Sequence, residues 1–182
     1  MTRFNPFRAL VLTALTLSLT MACTSTRTQK SAGEQIDDTV IATKIKADLI
    51  GDPITAARHI DVVVFKGRVQ LNGFVDSSEE SAQAARLAKQ VKGVVDVDNN
   101  LKLRGPERTV GKVIDDATLT AKVKAALVAD DRTKAHQIEV ETHNAVVQLG
   151  GFVDNATARS AATEIARSVG GVSRVDNQIA IK

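Results

Sequence analysis

The sequence predicts an α+β protein built from two tandem α-β-β-α-β domains, each a three-stranded sheet covered by two helices. The first observation behind this is internal repetition. At an offset of 78 residues, with no gap, Ile36-Asp37-Asp38 falls on Ile114-Asp115-Asp116, Val69-Gln70-Leu71 on Val147-Gln148-Leu149, and Gly73-Phe74-Val75-Asp76 on Gly151-Phe152-Val153-Asp154. Roughly 27 of about 68 aligned positions are identical, and two copies each long enough to enclose a small core point to domains rather than a stacked solenoid. The second observation is periodicity. Each copy carries two stretches with apolar residues at helical spacing and, between them, two short stretches that alternate in period two.

Residues 1–22 read as a signal peptide. Arg3 and Arg8 flank a polar start, and Ala9 to Leu19 forms an apolar run of signal-core length, too short for the roughly 20 residues of a comfortable bilayer span. The run ends in Leu19-Thr20-Met21-Ala22-Cys23, with a small residue immediately before the chain's one cysteine. This resembles a bacterial lipoprotein signal, which implies that Cys23 is lipidated and becomes the first mature residue. Such signals usually place Leu three residues before the cysteine, where this chain has Thr20, so cleavage after Ala22 to give a soluble periplasmic protein is the alternative. Residue 24 is Thr and not the Asp of inner-membrane retention, so the resemblance points to the periplasmic face of the outer membrane. Residues 23–35, rich in Ser, Thr, Gln and Lys, read as a flexible tether.

The first domain spans 36–104. Asp37 or Asp38 is expected to cap a helix through Ile50 whose Ile41, Ile45 and Leu49 share one stripe. The counterpart starts at Asp116 with Leu119, Val123 and Leu127. Strands follow at 60–65 and 138–142 and, after tight turns at Lys66-Gly67 and Asn144-Ala145, resume at Val69 and Val147, so each pair forms a hairpin. Ser77 and Glu80 make a capping box for a second helix bearing Ala84, Leu87, Ala88 and Val91, and Asn155 caps its counterpart. Gly93 and Gly171 end these helices, after which Val97, Leu101, Leu103 and Val175, Ile179, Ile181 supply a third strand. Residues 105–113 form a hinge of breakers and charges, and the second domain spans 114–182.

Composition removes several function classes. The formal charge is +3, and loss of Arg3 and Arg8 with the signal leaves +1, so there is no global basic field. With no Trp or Tyr and five Phe, stacking platforms for single strands are missing, and nucleic acid is excluded as a partner. His59, His136 and His143 are scattered and Cys23 lies outside both domains, so no metal set or cysteine-histidine nucleophile assembles. The sequence has no Gly-x-Ser-x-Gly elbow or phosphate-cradling glycine loop. No catalytic residue and no cofactor is expected. The acids at Asp37, Asp38, Asp115 and Asp116 are explained by helix-start electrostatics, and His143 reads as an exposed structural histidine.

The element order, together with Val69-Gln70-Leu71-Asn72-Gly73-Phe74-Val75, Val147-Gln148-Leu149-Gly150-Gly151-Phe152-Val153, the Gly-Val after each second helix and the closing Val-x-Asn, resembles the BON domain. The resemblance implies a non-enzymatic envelope module whose ligand is an anionic phospholipid surface, with a role in outer-membrane integrity under stress. Envelope assembly proteins are the alternative partners, and an adaptor or osmotic-stress chaperone the alternative function. For the lipid-facing surface the first helix of the second copy is expected. Lys122 and Lys124 project from its polar side with Thr118 and Thr120 beside them, where the first copy has Lys44, Lys46, Val40 and Ala42. Asn99 and Asn177 interrupt the last strand and are expected to bridge a bulge or cap a neighbouring loop, while Gly73-Phe74 and Gly151-Phe152 are expected to set packing between sheet and second helix.

Overall fold

The structure, a computed structural model, describes residues 32–55, 59–106 and 115–182, with side chains from Asp37 onward. Cys23 and residues 1–22, expected to form a signal peptide, lie outside this range. The first domain runs α1 (Ala32–Gly51), β1 (Ile60–Phe65), β2 (Arg68–Val75), α2 (Ser78–Gln90), β3 (Asp96–Asn99) and β4 (Lys102–Leu103). The second repeats the order with α3 (Asp116–Ala129), β5 (Ile138–His143), β6 (Val146–Val153), α4 (Ala156–Ser168), β7 (Arg174–Asn177) and β8 (Ala180–Ile181), adding a 3-10 turn over Ala135–Gln137.

Each sheet is mixed. β1 pairs antiparallel with β2, while β3 and β4 both lie parallel to β2 on its other side, and β5 to β8 repeat the pattern. The expected single third strand is therefore broken in two, and Asn99 and Asn177 explain the break. Asn99 Nδ2 donates to the Ser81 carbonyl and Oγ on α2, while its Oδ1 accepts from Leu101 N. Asn177 does the same through Arg159 O, Thr163 Oγ1 and Ile179 N. A side-chain amide thus replaces the ladder bond at the step and staples it to the helix above.

The helix starts differ from expectation in the first copy. α1 begins at Ala32, so its first turn lies within the stretch read as tether, and neither Asp37 nor Asp38 is its cap. The N-caps of the second helices hold: Glu80 N donates to Ser77 Oγ at 3.0 Å and Ala158 N to Asn155 Oδ1 at 2.9 Å, with Glu80 Oε2 reaching back to Asp76 N in the first copy.

Residues alternate cleanly between two interiors. In the first domain Ile60, Val62, Val64, Val69, Leu71 and Val75 face Ile41, Ile45, Leu49, Ala84 and Ala88 of the helices. In the second, Ile138, Val140, Val147, Leu149 and Val153 face Val123, Leu127, Ala162, Ile165 and Ala166. Yet nearly every residue of β2 and β6 is buried on both faces. The other sheet faces pack on each other, β2 against β5 and β6 and β1 against β6, giving four layers with helices outside and two sheets within.

Candidate functional site

Two places concentrate side chains that the cores do not consume: the seam between the sheets and the outer faces of α1 and α3 with their hairpin tips. The seam is held by an exchange of glutamines. Gln70 Oε1 accepts from Gly151 N at 2.8 Å and Gln148 Oε1 from Gly73 N at 2.6 Å, while their Nε2 groups donate to Gln178 O and Asn100 O. Both glutamines are about 1% exposed, so each domain satisfies backbone groups that the other would leave unpaired. Gly73 and Gly151 are required here on two counts. Their φ values are +126° and +114°, and a Cβ would strike the carbonyl of His59 or Gln137.

The seam also relocates the aromatic residues. Phe74 stacks on His143 at 5.3 Å and Phe65 on Phe152 at 5.5 Å between ring centroids, each pair joining the two domains. The expectation that Phe74 and Phe152 pack against the second helix is corrected, as is the exposed reading of His143. Residues two apart on a strand share a face, so the parity that sends Val69 and Leu71 to the helices sends Gln70, Asn72 and Phe74 to the opposite domain. At the same seam, burial and the carboxyl of Asp61 push Glu141 up to about 7, against a smaller opposing pull from Lys124.

The repeated acids find a different use from the one expected. Asp38 Oδ2 and Oδ1 accept from the backbone N–H groups of Lys66 and Gly67 at 2.7 and 2.9 Å. Asp116 does the same for Asn144 and Ala145. All four turn residues have positive φ, from 51° to 75°, so each aspartate clamps a type I′ hairpin tip onto its helix. Asp115 stands at the N-cap of α3 but makes no side-chain capping bond.

Of the residues expected to face lipid, Thr118, Lys122 and Lys124 are exposed on α3. Thr120 is turned inward, its Oγ1 hydrogen-bonded to Thr142 Oγ1 at 2.8 Å, and does not belong to that face. Sequence reading missed the rest of the surface. Ala117, Ala121, Ala125 and Val128 are exposed beside the lysines, Val128 at 73%, and no acid occurs between Asp116 and Asp130. α3 is therefore apolar on both sides, a pattern found in helices that meet a second apolar phase. The equivalent face of α1 differs: Lys44 pairs with Asp48, where α3 has Ala126. Among the described residues no set of three or more His, Cys, Asp or Glu is arranged to hold a metal ion, and no helix is long and apolar enough to cross a membrane.

Two α-β-β-α-β units, closed by the Gly-Phe-Val strand end and the Asn-stapled break, define the class. The family model described as BON domain matches residues 37–105 and 115–182, and the chain belongs to the BON-domain family in two copies. It is 36% identical over 151 residues to osmotically-inducible protein Y of Escherichia coli K12, spanning 82% of this chain and 75% of that protein. It is 35% identical over 147 residues to the outer membrane lipoprotein DolP of Haemophilus influenzae, spanning 80% and 75%. It is 34% identical over 147 residues to the 21 kDa hemolysin of Actinobacillus pleuropneumoniae, again spanning 80% and 75%.

Proposed function

We propose that this protein is a non-enzymatic envelope lipoprotein, anchored through Cys23 at the periplasmic face of the outer membrane, whose second domain lays α3 on anionic phospholipid. The reading rests above all on the outward face of α3. Ala117, Ala121, Ala125 and Val128 offer apolar contact flanked by Lys122 and Lys124, and the helix's one acid, Asp116, is engaged at the hairpin tip. Each lysine held near an anionic surface contributes about 1 kcal/mol. The likeness to a protein named as an outer membrane lipoprotein and to one named as osmotically inducible supports an envelope role under osmotic stress.

The test uses the mature chain with Cys23→Ser, so that binding reflects the domains and not an acyl chain. Lys122→Glu with Lys124→Glu is expected to lower sedimentation with phosphatidylglycerol vesicles by at least about tenfold. Binding of the parent chain is expected to weaken with added salt and to be absent on phosphatidylcholine vesicles. Undiminished binding of the double variant would remove α3 from the interface.

A further inference from the structure

We propose that the first domain contributes a second, tether-proximal bilayer contact: the corner where Val40 of α1 and Val95 of the α2–β3 loop flank the first hairpin tip, with Lys66 and Lys92 on its rim. The inference rests on the membrane-surface reading above and adds a place to it.

Val40 and Val95 are 62% and 81% exposed, two of the most exposed large apolar side chains among the described residues. They sit on one continuous surface. A groove lined by Asp37, Val40, Lys66, Gly67 and Lys92 adjoins a second lined by Lys66, Arg68, Val95 and Ile181. Gly67 joins the two, because a Cβ there would lie 2.9 Å from Val95 Cγ2 and 2.6 Å from the Gly93 carbonyl. The tip is rigid, held from beneath by the Asp38 carboxylate, so its backbone N–H groups are already satisfied before it meets another phase. Lys66 lies over the Phe65 ring, 5.8 Å from its centroid, and a long lysine stem of this kind lays apolar length along a surface while its ammonium stays in the headgroup layer.

The second copy supplies an internal comparison. Its equivalents of Val40, Lys66, Lys92 and Val95 are Thr118, Asn144, Gly170 and Ser173, so these four places carry neither valine nor lysine there. The fold therefore does not require valines or lysines at these places. Position in the chain points the same way. α1 begins at Ala32, nine residues beyond Cys23, a stretch that reaches at most about 30 Å even if fully extended. Val40 lies two turns into that helix, so an anchor at Cys23 holds this corner near the headgroups. Lys66 and Lys92 stand on the rim of the first groove with Asp37, Asp38 is spent inside the hairpin turn, and Arg68 and Lys182 along the second groove are paired with Asp98 and Asp154. Exposed apolar side chains rimmed by lysines match an anionic bilayer surface, where valine enters the interface and ammonium groups meet phosphate.

The experiment again uses the mature chain with Cys23→Ser. One variant gives the first corner the residues of the second copy, Val40→Thr, Lys66→Asn and Val95→Ser, with Lys92→Gln in place of the flexible glycine. Its binding to phosphatidylglycerol vesicles is expected to fall about tenfold, with an unchanged thermal midpoint showing that the fold persists. A separate readout does not depend on affinity. An environment-sensitive fluorophore on Val95→Cys is expected to shift to the blue on adding these vesicles, and one on Ser173→Cys is not. If the corner variant binds as the parent does and the label at 95 does not respond, the corner is overturned, while loss of binding on Lys122→Glu with Lys124→Glu would leave the α3 reading standing. If the parent chain ignores anionic vesicles, both readings fall. A label at 95 that responds to an envelope protein but not to vesicles would overturn the lipid occupant.

Discussion

At the scale of single residues, the acid pair at the seam makes stability depend on pH in a definite direction. Glu141 is held up near 7, first by burial and then by Asp61, with Glu139 adding to the rise and Lys124 opposing it. The fold thus prefers the protonated carboxyl, and its contribution is in full force below the ordinary value of 4.5 and is lost as pH rises toward about 7. Asp154, held down to about 2 by Lys134 and Lys182, acts oppositely: its contribution is present above 3.8 and is lost on acidification toward about 2. Denaturant titrations across pH are expected to show stability falling between about 4.5 and 7, and Glu141→Gln is expected to flatten that limb alone. An unchanged limb in the variant would place the titrating group elsewhere. None of this was legible in the sequence, because Asp61 and Glu141 are far apart in the chain and meet only when two sheets stack. The use of Asp38 and Asp116 was hidden for the same reason. An aspartate ahead of an apolar stripe reads as a helix cap, and only the folded hairpin shows the two N–H groups that it serves.

At the scale of elements, local chemistry was readable wherever both partners lie within a few residues. The N-caps at Ser77 and Asn155, the hairpin turns and the helix stripes all appear where the sequence places them, since each depends on spacings of two to four residues. The broken third strand was only half legible. Asn99 and Asn177 announced an irregularity, but their partners Ser81, Arg159 and Thr163 sit on the preceding helices. Asn177→Ala is expected to cost about 1–3 kcal/mol, since it strands Ile179 N and removes the staple to α4. Urea unfolding measures this directly, and a loss below a few tenths of a kcal/mol would mean that water replaces the amide at no cost. The outward face of α3 was legible in its lysines, and Leu119, Val123 and Leu127 are buried as the stripe predicts, whereas its alanines looked like ordinary helix formers until they were seen exposed on the opposite side.

At the scale of the whole molecule, the seam is nearly symmetric and departs from symmetry at its centre. The glutamine exchange relates the copies by an approximate two-fold, and near that axis Asn72 fills the space beside its own counterpart, Gly150, where any Cβ would run into the Asn72 amide. This is a knob and a hole. Gly150→Asn is expected to destabilise the full chain by about 1–3 kcal/mol through overpacking, and adding Asn72→Gly is expected to recover much of the loss by reversing the roles. Purely additive effects in the four-member cycle would show that the two positions do not sense each other. A two-fold in which each unit offers the other the same patch is the geometry of a homodimer. The chain therefore has the form of such a dimer written into one polypeptide, with Asn72 and Gly150 among the places where the two halves of the seam differ. The shared glutamines make the same contact twice and hold the halves together, while the outward faces of α1 and α3 differ in sequence.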